Sequence, residues 1–118
     1  MKHSALPWNR FATADDAAIL AWAAAQPWAE PMRLCAQDAV WHPEGDVWTH
    51  TEMVFGEVRR LGDYAELPRS EQIALLFTAL LHDSGKPKTT RPDPETGRLR
   101  SPKHSLAGAR LARDVLRE

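Results

Sequence analysis

The sequence predicts an all-α fold, and three observations carry that reading. Apolar residues recur at helical spacing, helix starts and stops are marked by capping residues, glycine and proline, and strand signal is confined to one short turn region. The strongest single feature is Ile73–Leu81 (IALLFTALL), nine residues interrupted by one hydroxyl. The chain has 118 residues, below the ~250 at which single cores divide, so one domain is expected. Hydrophobic residues at 43% and charged residues at 26% match a globular composition and exclude a disordered one.

Residues 1–12 read as an irregular arm whose Leu6, Trp8 and Phe11 pack onto the body. Thr13 is the expected N-cap of a first helix, with Asp15 and Asp16 against the positive end of its dipole. Pro27 stops that helix after Gln26. Residues 27–45 hold Pro27, Pro31, Pro43 and Gly45, which leaves room only for a short helix near Met32–Ala36. Asp46 caps a second helix from Val47 to Leu61, ended by Gly62, with His50, Val54, Val58 and Leu61 as its inward stripe. Ser70 caps a third helix, Glu71–Ser84, closed by Gly85 with Pro87 just beyond. A helix apolar nearly all round is buried all round, so this one is predicted to be the central element. Residues 86–102 contain Pro87, Pro92, Pro94 and Pro102 around the turn Glu95-Thr96-Gly97-Arg98, a loop or short hairpin with Thr89–Arg91 facing Arg98–Arg100. A last helix starts near Lys103, and His104, Gly108, Leu111 and Val115 share its stripe.

The net charge of −1 hides a division. Residues 1–85 carry six Lys/Arg against twelve Asp/Glu, whereas residues 86–113 carry eight against two. An acidic body therefore bears a basic C-terminal quarter, either a solvated surface or one that attracts phosphate. The single cysteine, Cys35, excludes an internal disulfide and fits a reducing, cytoplasmic setting. The longest apolar runs, Ala17–Ala25 and Ile73–Leu81, fall short of the ~20 residues of a membrane span. Asp15 and Asp16 stand where a signal peptide needs positive charge.

Of five histidines, His3 lies in the arm, while His50, His82 and His104 each fall where a polar group needs an explanation. His50 interrupts an inward stripe, His82-Asp83 follows the apolar run directly, and His104 opens the stripe of the last helix. Any one of them alone is explained by a hydrogen-bonded core histidine. Together, a buried helix ending in His82-Asp83-Ser84-Gly85-Lys86 brings imidazole, carboxylate and ammonium within one turn. A buried carboxylate needs a counter-charge, which a divalent metal supplies. Imidazole and carboxylate suit Zn, Mn, Fe, Co or Ni.

His50, followed thirty-two residues later by His82-Asp83 in LLHDSGK, resembles the HD phosphohydrolase superfamily. The segment WHPEGDVWTHT (Trp41–Thr51) is similar to HD modules attached to CCA-adding tRNA nucleotidyltransferases and to those of bacterial RNA end-healing proteins that join an HD phosphoesterase to a polynucleotide kinase. The run GRLRSPKHSLAGARLAR (Gly97–Arg113) favours the end-healing group, and the resemblance covers roughly residues 28–117.

The resemblance implies an HD-like helical bundle and metal-dependent hydrolysis of a phosphoester on a nucleotide or RNA end, such as a 2′,3′-cyclic phosphate. It implies His50, His82 and Asp83 as ligands of a divalent ion (Mn, Ni, Co, Fe, Zn or Mg), with Asp83 also orienting the attacking water. Lys86 and His104 take catalytic and phosphate-binding roles, joined at the phosphate by Arg100. His42, Glu44 and Asp46 match the motif ahead of the first ligand, where supporting or substrate roles fit. Asp46 has a structural alternative as a helix cap and His42 as the filling of a turn. The family's final ligand is an Asp on a further helix. Asp114, ten residues after His104, is expected to face partly outward, so the fourth ligand is unassigned and the chain is expected to be the front part of a longer module or a natural short form that lacks the Asp. No P-loop pattern is present, so kinase activity would belong to a polynucleotide kinase partner or segment elsewhere. The alternative from another class is an HD-like nucleotide- or RNA-binding module without turnover.

Overall fold

The stretch read as an irregular arm is partly helical in the computed structural model, which describes residues 8–40, 42–102, 108 and 110. Helix α1 (Trp8–Thr13) buries Phe11 completely, and Ala14 extends its hydrogen bonding by donating to Arg10 O at 3.0 Å. Thr13 therefore ends one helix instead of capping the next. The cap of α2 (Asp16–Ala24) is Asp15, whose carboxylate accepts from Ala18 N at 3.0 Å. Helix α3 (Ala29–Arg33) lies slightly earlier than Met32–Ala36. Pro31 falls in its first turn, where a missing N–H leaves no helical bond unmade.

Helix α4 (Val47–Arg59) begins as predicted, with Asp46 accepting from Thr49 N at 2.8 Å and Thr49 Oγ1 at 3.1 Å. Its buried face is Val47, Trp48, Thr51 and Phe55, a correction to the His50–Val54–Val58–Leu61 stripe. The larger Trp48 and Phe55 claim the core, and Thr51 joins them because its hydroxyl donates to Val47 O at 2.8 Å. Leu61 lies beyond the helix and is 53% exposed, while His50 is turned to the flank. After a 3-10 turn (Tyr64–Glu66) comes α5 (Arg69–Leu81), preceded by Pro68 without a side-chain cap, so Ser70 is inside the helix. It packs along α4 and buries Ile73, Leu76, Phe77, Ala79, Leu80 and Leu81. It is not buried all round: Glu71, Ala74 and Thr78 form a solvent-facing line, since alanine and threonine accept exposure at little cost.

Helix α5 stops at Leu81, earlier than predicted, and residues 82–85 turn into the short α6 (Lys86–Thr89). Strands β1 (Arg91–Pro92) and β2 (Leu99–Arg100) then pair antiparallel, Arg91 opposite Arg100 and Pro92 opposite Leu99. The hairpin is as predicted but its register is shifted by two residues from Thr89–Arg91 facing Arg98–Arg100, because α6 takes up Thr89. Of the predicted last helix, Gly108 and Arg110 are described and helical, whereas Lys103, His104, Leu111, Asp114 and Val115 lie outside the described residues. Gly108 is buried, and a Cβ there would meet Gly85 N at 3.3 Å and Ser84 Oγ at 3.4 Å. Close packing against the turn after α5 thus favours glycine, since a Cβ would push the turn back by a few tenths of an ångström. Among the described residues, no helix is long and apolar enough to cross a membrane.

A polar tie joins the N-terminal helices to the α4–α5 pair. Asp16 accepts from Arg69 at 2.5 Å, Tyr64 OH at 2.9 Å and Arg59 at 3.0 Å, while Arg69 also reaches Phe11 O and Ala14 O. Burial pushes the Asp16 carboxyl up, but hydrogen bonds from Arg69, Tyr64 and Arg59 outweigh it and hold the group below the usual carboxylate range. Burial, reinforced by Asp16, pushes the Tyr64 phenol up to about 12. Asp16→Asn is expected to cost about 2 kcal/mol near neutral pH, read as a lower urea midpoint. Because the folded pKa is depressed, this contribution is complete above the unfolded value of ~3.9 and is lost as pH falls through the folded one. The gap between wild type and variant should therefore be widest near neutrality and close in acid.

Candidate metal centre

The turn after α5 delivers three charged or titratable groups to the negative end of that helix's dipole, where positive charge is favoured. His82 directs Nδ1 to Ala79 O at 2.6 Å, which leaves Nε2 free to face Asp83 Oδ2 at 3.0 Å. His50 arrives from the flank of α4. Its Nδ1 lies 2.7 Å from Glu44 Oε1, and its Nε2 lies 3.7 Å from the same Asp83 oxygen. The two rings are 5.8 Å apart. Lys86, one turn beyond Asp83, places Nζ 3.4 Å from Asp83 Oδ2 and donates to Gln37 Oε1 at 2.8 Å.

Burial drives the Asp83 carboxyl up, yet His82 and Lys86 more than offset it and bring the group down to about 2. His82 is raised by its hydrogen bond to Asp83, against the opposing effect of burial. Glu44 is held below its ordinary value by its own backbone N–H, and also by His50 and His42 against burial. Both carboxylates are accordingly ionised at neutral pH.

This donor set fits a divalent cation. One atom from each of His50, His82 and Asp83 falls within 4.8 Å of the others, and so do atoms of His42, Glu44 and His50. With Nδ1 facing an acceptor on both rings, each Nε2 is the nitrogen turned to Asp83, and a cation there would replace the Nε2 proton that His82 shares with Asp83, the usual arrangement behind metal-binding histidines. The two groups share His50, and Glu44 lies between its ring and that of His42, whose Nδ1 is 3.3 Å from the same oxygen.

The other predicted residues divide. Asp46 spends both carboxylate oxygens on Thr49 at the start of α4. Arg100 is set apart on β2 and donates to Asp93 at 2.9 Å. It nevertheless shares a cavity of ≈ 220 Å³ with Lys86, His42, Gln37 and Asp38. His104 and Asp114 lie outside the described residues. Gln37, which orients Lys86, was not singled out by sequence; it belongs to no motif, and 49 positions separate the pair.

The chain is 41% identical over 69 residues to a CC-adding tRNA nucleotidyltransferase of Thermus thermophilus, a match covering 58% of this chain. The match spans only 14% of that relative's length. No solved structure matches the chain significantly. The description "HD domain" matches residues 47–118, a span that begins with α4 and takes in His50 and the His82-Asp83 pair. The chain therefore belongs to the HD domain family, in which a metal-dependent phosphohydrolase is the expected activity.

Proposed function

We propose that this chain hydrolyses a phosphoester on a nucleotide or RNA end, with a divalent metal held by His50, His82 and Asp83. The observation that carries the reading is the convergence of two imidazole Nε2 atoms on one ionised, buried carboxylate, with the Lys86 ammonium beside it. A divalent cation held there would supply Lewis acidity and would lower the pKa of an adjacent water toward ~7. Asp83 anchors the site and accepts a hydrogen bond from the attacking water. Lys86, held in place by Gln37, neutralises charge that builds on the phosphoryl oxygens. Glu44 is a positioning residue that fixes the ring of His50 through Nδ1.

The nucleotide or RNA-end substrate draws support from the basic residues after Lys86 and from the relative, whose name describes work on a tRNA. Elemental analysis of the purified protein, with hydrolysis of bis-p-nitrophenyl phosphate and of uridine 2′,3′-cyclic phosphate, tests the proposal. Bound metal is expected, with turnover that EDTA removes and Mn, Ni or Co restores. Bound metal without turnover would favour a binding module, and a metal-free, inactive protein would sink the metal reading itself.

A further inference from the structure

We propose that the β1–β2 hairpin forms a second phosphate subsite, which takes a backbone phosphate of a nucleic-acid strand whose end lies at the His50–His82–Asp83 cluster. The proposal rests on the catalytic reading only for the direction in which the strand lies. Arg91 and Arg100 are directly opposed across the ladder, so their side chains rise from the same face. Like charges in that position destabilise a strand pair, and an anion between them reverses the sign. Arg100 has Asp93 as a partner, whereas Arg91 has no carboxylate partner among the described residues.

The hairpin is a rigid mount for this pair, although both arginines are exposed. Asp93 Oδ1 accepts from Glu95 N at 2.8 Å and Thr96 N at 3.2 Å, and Gly97 takes a φ of 72° to close the turn. Arg98 pairs with Asp38 on the body, and Thr90 Oγ1 meets Ser101 Oγ at 2.5 Å at the base. A cavity of ≈ 320 Å³ lies between Arg91, Arg100, three prolines (Pro92, Pro94 and Pro102) and Asp93, whose carboxylate is engaged by Arg100 and by the turn N–H groups. Arg100 also lines the ≈ 220 Å³ cavity that contains Lys86. The positive groups thus run Lys86, Arg100, Arg91 from the proposed scissile phosphate outward.

Planar guanidinium forks match phosphate oxygens. Cavities close to the ~300 Å³ lower end of small-molecule sites each take a unit no larger than a nucleotide. An acidic peptide offers carboxylates to the same arginines, but it has no reason to continue from Lys86 and the metal cluster. The sugar–phosphate backbone does, because its next phosphate follows the one being cleaved.

Fluorescence anisotropy of a short fluorescein-labelled oligouridylate ending in a 3′-phosphate, with uridine 3′-monophosphate as competitor, gives the ratio of strand to mononucleotide affinity. The full chain is measured with and without EDTA. In Arg91→Glu the ratio is expected to fall about tenfold, and the slope of log K against log salt to become shallower by at least ~0.7, the share of one phosphate contact on a single strand. Arg91→Lys keeps the charge and should recover most of the slope with a smaller affinity loss. An unchanged ratio and slope in Arg91→Glu would overturn the subsite, as would displacement of the strand by polyglutamate at equal charge. Arg91-dependent strand binding without metal-dependent hydrolysis upholds the subsite and removes the catalytic reading. Hydrolysis with an Arg91-independent ratio does the reverse.

Discussion

Asp83→Asn is expected to lower kcat/KM for bis-p-nitrophenyl phosphate by roughly 10³-fold, about 4 kcal/mol of transition-state stabilisation. Its Oδ2 faces His50, His82 and Lys86 together. An amide keeps the shape and loses the charge. Asparagine presents either an oxygen without a formal negative charge or an NH₂ that meets the Lys86 ammonium, and neither favours a cation. Titration calorimetry with Mn should show affinity falling in parallel. Glu44→Ala defines a smaller step in the same series, about 10–100-fold in metal affinity, because it frees the His50 ring without removing a ligand. Glu44→Gln keeps an acceptor for Nδ1 and should recover part of that loss. Wild-type affinity in Asp83→Asn would remove this residue from the ligand set. Equal losses in Glu44→Ala and Asp83→Asn would instead make Glu44 a ligand, as the neighbouring His42–Glu44–His50 group allows.

The parts of this arrangement that were legible in sequence are those encoded within a few positions. An Asp before an amphipathic run is a cap wherever it occurs, and Asp46 behaves so. The hairpin itself, though not its register, follows from a glycine that accepts positive φ between two basic segments. His82-Asp83 at the end of an apolar run marks a polar cluster against the core whatever the tertiary details. What was not legible depends on partners chosen in three dimensions. The inward face of α4 was displaced because Thr51 reads as polar, although its hydroxyl is satisfied within its own helix. Likewise, α5 read as wholly buried because nothing in IALLFTALL says which neighbour leaves Ala74 and Thr78 to water. The contact of Lys86 with Gln37 and the three-way grip on Asp16 join positions 43 or more apart and carry no local signature.

Phe77→Ala is expected to cost about 3–5 kcal/mol, the range for deleting a buried aromatic ring. Phe77 is 3% exposed, and its ring centroid lies 5.6 Å from Trp8, 6.0 Å from Phe11 and 6.0 Å from Trp22. Removing it takes away the surface on which α1 and α2 meet α5, and Phe11 and Trp22 already face each other edge-on at 5.7 Å with little room to collapse. Domains of this size have ~5–15 kcal/mol in total, so the variant should melt roughly 15 °C lower by circular dichroism. Phe77→Leu keeps most of the volume and should lose about 1 kcal/mol. The residue lies five positions before His82, on the helix that carries the proposed metal-binding turn, so its effect and that of a bound metal would act on one folded state. Metal at a hundredfold over its Kd would add about 2.7 kcal/mol to both proteins and return a large part of the lost melting temperature. A Phe77→Ala protein that melts normally would show that the aromatic cluster is not what holds the N-terminal helices. One that loses stability but gains nothing from metal, while wild type does gain, would show instead that the ring is needed to keep the turn at the end of α5 in its binding geometry.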